Sequence, residues 1–310
     1  MADFALAVDI GGTKVEAALV TAEGVLVAES RARRPTGPDT TVGLLHAAVS
    51  DVVRDALPAL PDGSMIVGAG IGSAGPVDLP TGTISPVNMP GAHGFAVVET
   101  VAELLAEGGV AGTPVILRHD GGALALAEAW KGATAGARAS MSIVVSTGVG
   151  GGFVVGGRPM SGASGNAGHL GQTRAEAGGG LTLEEVASGP SSAAWARAQG
   201  WTGSTGEDLA RDAAAGDRVA RAAIERSAEA VGRALADAAT LVDLEIIAIG
   251  GGFSRVSADY VELVAAAAGA SAALPYSRAT RIVRTALGDE GPLLGAAALV
   301  IAPARGTSDG

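Results

Sequence analysis

Two glycine-rich stretches, Asp9-Ile10-Gly11-Gly12-Thr13-Lys14 and Ser146-Thr147-Gly148-Val149-Gly150-Gly151-Gly152, hold the residues best suited to chemistry in this 310-residue chain. Glycine has no Cβ, so consecutive backbone amides can come close to an anion and point at phosphate oxygens. Either stretch alone also reads as an ordinary tight hairpin. Their pairing, with an acid at the end of an apolar strand and Thr13-Lys14 just after the turn, favours a polyphosphate clamp. Neither stretch has the spacing of a Walker motif, and the first does not open a helix as the dinucleotide fingerprint does. A third candidate is Asp120, at the end of the apolar run Val115 to Leu117 and the start of a helix. By position alone it is a helix N-cap; it could equally present a carboxylate that accepts a proton.

The elements that must position these residues recur in the same order. The run Phe4 to Ile10 alternates Leu6, Val8 and Ile10, as a half-buried strand does, and Val15 to Val20 returns after the turn. A third strand is expected at Val25 to Ala28, a loop at Arg31 to Thr40, and a helix from Thr41 with Leu44, Leu45, Val49, Val52 and Val53 in its stripe. A strand at Met65 to Ile71 leads into the loop Gly72 to Asp78, and a helix spans Ala123 to Trp130. The second half repeats the pattern: glycine hairpin, helices from Thr182, Glu207 and Asp217, a strand Glu245 to Ile249 ending in Gly250-Gly251-Gly252, and a last helix Gly291 to Ile301. Hairpin, helices and a strand with a glycine-rich end, occurring twice, imply a duplicated α/β domain with a cleft between the copies.

Composition narrows the partners. Hydrophobic residues are 48% of the chain but aromatics only 3%, so the interior is built from Ala, Val and Leu. The net charge of −11 disfavours nucleic acid. There is no cysteine, which excludes disulfides and thiolate zinc sites. No signal peptide and no apolar run long enough to cross a bilayer is visible, so a cytoplasmic enzyme that does not bind membranes is expected.

Together these phrases resemble the ROK family of sugar kinases and sugar-responsive repressors, over nearly the whole chain. Asp9 to Lys14 is similar to the family's first phosphate motif and Gly72 to Asp78 to its Gly-x-x-Gly-Pro-Val-Asp loop. Asn88-Met89-Pro90-Gly91 is similar to its Asn-Leu-Pro-Gly turn, Ser146 to Gly152 to its second phosphate loop, and Gly250 to Gly252 to the glycines beside adenosine. The second phosphate loop with Ala167-Gly168-His169-Leu170-Gly171 resembles bacterial N-acetylmannosamine kinases in particular. The resemblance implies duplicated actin-like (ribonuclease H-like) domains, here 1–118 with 290–310 and 119–289, and a kinase that moves phosphate from ATP to a hydroxyl of a hexose or N-acetylhexosamine. It implies Asp120 as general base, Asp9 as holder of Mg²⁺ directly or through water, and Gly11, Gly12, Thr13, Lys14, Thr147, Gly148, Gly250 and Gly251 around the nucleotide. Gly75, Asn88, His119, Asp120, His169, Gln172 and Glu184 border the sugar. Two of these keep a second reading: Lys14 as a solvated hairpin lysine, and Glu184 as a complement to a helix dipole. A homodimer is the family's habit.

Three departures stand out. His119 replaces the Asn that precedes the family's catalytic Asp. His169-Leu170-Gly171-Gln172 stands where Glu-x-Gly-His is usual, and Arg174 to Leu183 lacks the cysteines of the structural zinc loop, so no such zinc is expected. The altered polar groups bear on which sugar is accepted. They leave open a non-catalytic sugar or nucleotide sensor, and a polyphosphate donor is a further alternative to ATP.

Overall fold

The computed structural model describes residues 2–175 and 180–302. In chain order the strands are β1 (Asp3–Ile10), β2 (Lys14–Thr21), β3 (Ala32–Pro35), β4 (Met65–Ser73), β5 (Val77–Asp78), β6 (Thr83–Ile84), β7 (Val115–His119), β8 (Ala139–Val145), β9 (Val149–Val155), β10 (Arg158–Pro159), β11 (Ile246–Gly250) and β12 (Arg281–Arg284). The helices are α1 (Val42–Ala56), α2 (Val97–Glu107), α3 (Asp120–Lys131), α4 (Leu183–Ala187), α5 (Gly189–Ala198), α6 (Gly206–Ala214), α7 (Arg218–Val242), α8 (Tyr260–Ser271), α9 (Pro275–Arg278) and α10 (Gly291–Ile301).

One sheet runs β3-β2-β1-β4-β7 and the other β10-β9-β8-β11-β12. In each, the central strand has an antiparallel arm on one side (β2 with β3, β9 with β10) and two parallel strands on the other. The duplication read from the sequence is thus a duplicated sheet topology. The chain divides into two compact units, Met1–Ala135 with Phe153–Ala167 and Leu287–Gly310, and Gly136–Gly152 with Gly168–Ala286.

In the first unit the two-residue period of β1 separates two cores. Leu6, Val8 and Ile10 join α1 and α2 residues such as Val49, Val53, Val101 and Leu105, while Ala5 and Ala7 face Leu293, Ala296 and Ala297 of α10. Small side chains on that second face let α10 come close. Helix α1 starts where expected, with the Thr41 side chain accepting from Leu44 N–H.

The third strand lies elsewhere than the apolar pattern suggests. Val25 is 60% exposed, Leu26 makes only an isolated bridge to Val20, and Ala28–Ser30 is a short 3-10 turn. The strand is Ala32–Pro35, inside the stretch expected to be a loop, and it pairs with Lys14 to Ala17. Its arginines sit on an edge strand, where charge is tolerated: Arg33 is held by Glu16 of β2 and Arg34 by Asp51 and Asp55 of α1. Leu44 of α1, expected in the buried stripe, is 60% exposed. Among the described residues no helix is long and apolar enough to cross a membrane.

Candidate active site

In the first unit the parallel strands end in a common row. Asp9 of β1 lies beside Gly72 of β4 and Gly72 beside Arg118 of β7; one step on, Ile10, Ser73 and His119 align. Ligands of open α/β sheets gather beyond such carboxyl ends. Asp120 follows at once as the first residue of α3. A Cβ on Gly72 would lie 3.6 Å from Asp9 Oδ1 and 4.0 Å from the Asp120 Cα, so the two acids flank this glycine. Asp9 is 6% exposed. Its pKa is pushed up to about 7, first by burial and then by the negative charge of Asp120.

His119, not Asp120, occupies the N-cap position of α3. Oδ1 of Asp120 accepts from Gly121 N–H at 2.7 Å and lies 2.9 Å from His119 Nε2. The Asp120 side chain is nonetheless 44% exposed while that of His119 is buried. One oxygen is anchored, which leaves the other to receive a proton from outside, the geometry a general base needs.

The first glycine turn is closed by Gly11 N–H donating to Lys14 O at 2.9 Å, and Thr36 Oγ1 donates to Gly11 O at 2.8 Å. The Asn88 amide lies directly on this turn, since a Cβ at Gly12 would fall 1.8 Å from Asn88 Nδ2. Gly75 is tied to the same corner: its carbonyl accepts from Val87 N–H at 3.1 Å, and the neighbouring Ala74 N–H donates to Ile10 O at 2.8 Å. Asn166, which the sequence reading did not single out, holds Val77 with both ends of its amide, accepting from the N–H at 2.9 Å and donating to the carbonyl at 2.8 Å. Lys14 is paired with Glu16 and Thr13 is exposed. The structure therefore brings Asp9, Gly11, Gly12, Asn88 and Asp120 to one end of one sheet.

The second unit gathers its own set. Ser146 N–H donates to Gly148 O at 2.8 Å, closing the turn, and Thr147 is exposed at its tip. Glu184 Oε2 accepts from Val149 N–H at 2.9 Å, and Gln172 Nε2 donates to Glu184 Oε1 at 3.4 Å. Its neighbour Glu185, with Thr182, forms the capping box of α4, so Glu184 braces the second glycine turn and does not cap the helix. A Cβ at Gly148 would come within 2.7 Å of Glu184 Oε2. His169 sits between Gly168 and Gly171, whose backbones lie on the Gly151 and Val149 carbonyls of β9. Gly250 pairs with Val144, and a Cβ on Gly251 would meet Val145 O at 2.4 Å, so these glycines stand at the strand end next to Ser146. Residues 176–179, within the stretch where the family's zinc loop falls, lie outside the described residues.

A search for relatives decides the family. The model of the ROK family matches residues 5–302. The chain belongs to the ROK family. It is 32% identical over 273 residues to an N-acetylmannosamine kinase of Yersinia pseudotuberculosis, covering 84% of this chain and 87% of that one. Among solved structures it is similar to the ROK hexokinase of Thermus thermophilus, at 31% identity and a TM-score of 0.77, over 95% of this chain and 96% of the other. It is also similar to a ROK glucokinase of Streptomyces griseus in complex with glucose and AMPPNP, at 26% identity and a TM-score of 0.78, over 96% and 99%. The fold is that of the actin-like ATPases, with the two sheets as its duplicated halves. The signals that could have revealed Gly72 and Glu16 lie in strand periodicity: once Asp9 is placed on β1, its cross-strand neighbours follow by register.

Proposed function

We propose that this ROK-family chain is an ATP-dependent sugar kinase acting on a hydroxyl of a hexose or N-acetylhexosamine, with Asp120 as general base. One observation carries the reading: a half-exposed, singly anchored carboxylate stands beside the buried Asp9 at the strand ends, with Asn88 laid on the first glycine turn. Asp120 would take the hydroxyl proton as the oxygen attacks the γ-phosphorus, so the acceptor O–P bond forms as the bond to the leaving phosphate breaks. Asn88 and the Gly75 backbone would orient the sugar, with His119 fixing the Asp120 rotamer. His169, Gln172 and Glu184 belong to the same assignment on the second unit, Glu184 through its hold on the turn. Thr147, Gly148, Gly250 and Gly251 would take the nucleotide, and the glucokinase relative with AMPPNP supports an adenine nucleotide over polyphosphate.

The residues present fit Mg²⁺. This ion takes oxygen ligands, usually one or two carboxylates completed by substrate phosphates and waters. Among the described residues no group of three or more His, Cys, Asp or Glu could hold a metal, so the donor's phosphates would have to complete the shell. Asp9 would hold the ion, directly or through water, and a cation there would relieve the repulsion from Asp120 that raises its pKa. When bound it would neutralise charge developing on the transferred phosphate. The relative at 32% identity makes N-acetylmannosamine the first sugar to try, and a cytoplasmic homodimer goes with the family reading.

The test is a panel of hexoses and N-acetylhexosamines with Mg-ATP, reading sugar-dependent ADP. Asp120→Asn should abolish turnover with the melting curve kept. Sugar binding by calorimetry without ADP from any member of the panel would favour a sensor, a reading to which His119 on the Asp120 carboxylate lends some support.

A further inference from the structure

A single row of side chains crosses the whole first sheet at the level of the site. By register it reads Arg33 of β3, Glu16 of β2, Asp9 of β1, Gly72 of β4 and Arg118 of β7. Cross-strand partners share a face, so Asp9 and Glu16 are two acids side by side, an arrangement that is unfavourable unless something compensates. Glu16 is the deeper of the two, 1% exposed, and it is compensated three times over. Its Oε1 takes Arg33 (Nε 2.8 Å, Nη2 2.7 Å) and Arg31 (Nε 3.2 Å, Nη2 3.1 Å), and its Oε2 takes the Lys14 ammonium. Lys14 and Glu16 are two apart on β2 and so project to one face, with Lys14 the first residue after the glycine turn. The guanidiniums alone would satisfy one buried carboxylate. The second oxygen holds a lysine whose side chain is 31% exposed and lies at the edge of the turn.

We propose that Glu16 is a positioning residue for the phosphoryl donor: anchored by Arg31 and Arg33, it holds the Lys14 ammonium at the edge of the first glycine turn, ready for the donor's phosphates. The inference rests on the kinase reading, because it needs a phosphate at that turn. A free lysine side chain samples many rotamers, and fixing it when the ligand arrives weakens binding. Held by Glu16, that ordering is completed beforehand. Arg31 and Arg33 also keep the acid from repelling the phosphates, since the cluster of Glu16, Lys14, Arg31 and Arg33 has a net formal charge of +2 (three cations, one anion).

The experiment is a double-mutant cycle with Glu16→Gln and Lys14→Met, reading KM for ATP, KM for sugar and kcat. Glu16→Gln should raise KM for ATP about tenfold, with sugar KM and kcat close to wild type, and should add nothing further in the Lys14→Met background. An equal rise in the Lys14→Met background, or a parallel rise in sugar KM, would make Glu16 merely structural and overturn the proposal. A fall in KM for ATP would overturn it too, by showing that Glu16 competes with phosphate for the ammonium. If Glu16→Gln does not fold, Glu16→Asp keeps the charge among the arginines but draws it back one methylene, and the same cycle is read from it. If wild type shows no sugar-dependent ADP, the kinase reading fails on its own; the cycle is then run on AMPPNP binding by calorimetry, where an affinity loss shared with Lys14→Met upholds Glu16 and its absence sinks it.

Discussion

At the first glycine turn the strand ends in Asp9 and Ile10, and the next strand brings Lys14 and Glu16 alongside. At the second turn the strand ends in Val144 and Val145, the turn opens on Ser146, and the nearby acid, Glu184, arrives from helix α4 to bind a backbone N–H. The two turns occupy the same place in sheets of the same strand order. On the strands that flank its turn one copy has put ionisable side chains, where the other has Val144, Val145 and Val149. After a duplication the backbone amides can be kept in both halves for phosphate, whereas proton and metal chemistry needs its carboxylates once. A second pair of buried acids would add repulsion with no reaction to serve.

This contrast is broken most directly through Asp120. Asp120→Asn should lower kcat by about 10³-fold with an unchanged melting temperature, the range expected for losing a general base. Retention of more than a tenth of the activity would remove the acid from the chemistry and with it the division of labour between the halves.

Asp9→Asn comes next and has a pH signature. A carboxyl whose folded pKa is raised contributes its stability fully below its ordinary value, here 3.8, and loses it as pH climbs through about 7. At pH 8 the native acid is ionised and buried. The Asn variant should therefore melt several degrees higher than wild type at pH 8, with the gain shrinking towards pH 4, while its activity drops about 10²-fold. A stability gain that does not change with pH would mean that Asp9 is not the buried, repelled acid described here.

How much of this was legible in the sequence follows from what each signal measures. The apolar run Phe4 to Ile10 and the glycines after it were readable, because a strand and a turn each leave a local mark, but β1 is buried on both faces and not half-buried as the alternation of Leu6, Val8 and Ile10 suggests. Strand β3 was not readable: Ala-Arg-Arg-Pro carries no apolar run, and its arginines find distant partners, Arg33 reaching Glu16 of β2 and Arg34 reaching Asp51 and Asp55 of α1. The apolar Val25 to Ala28 drew the assignment instead. Helix α8 leaves a weak mark because its alanines give little contrast between faces, whereas α2 carries a legible stripe of Val97, Val101, Leu104 and Leu105. Among the site residues, types and roles could be proposed from motifs, but neighbourhoods could not. That Asn88 rests on Gly12, and that Glu184 serves Val149, are facts of tertiary placement.

Those two placements give the smallest effects and separate the halves most cleanly. Gly12→Ala would push a methyl into the Asn88 amide and Gly148→Ala into the Glu184 carboxylate; both obstacles are ends of flexible side chains, so the fold should survive. Gly12→Ala moves a group assigned to the sugar, and Gly148→Ala a group that fixes the second glycine turn, the one proposed for the donor. The first should raise KM for sugar, and KM for ATP with it because Gly12 also borders the donor's phosphates, whereas the second should raise mainly KM for ATP, each by about five- to tenfold, as expected when one hydrogen-bonding group is displaced. Glu184→Gln keeps an acceptor for Val149 N–H and should change KM for ATP by no more than about threefold. If instead Gly12→Ala left KM for sugar unchanged, Asn88 would not serve the sugar, and the contrast between a charged half and a backbone half would have to be redrawn around the donor alone.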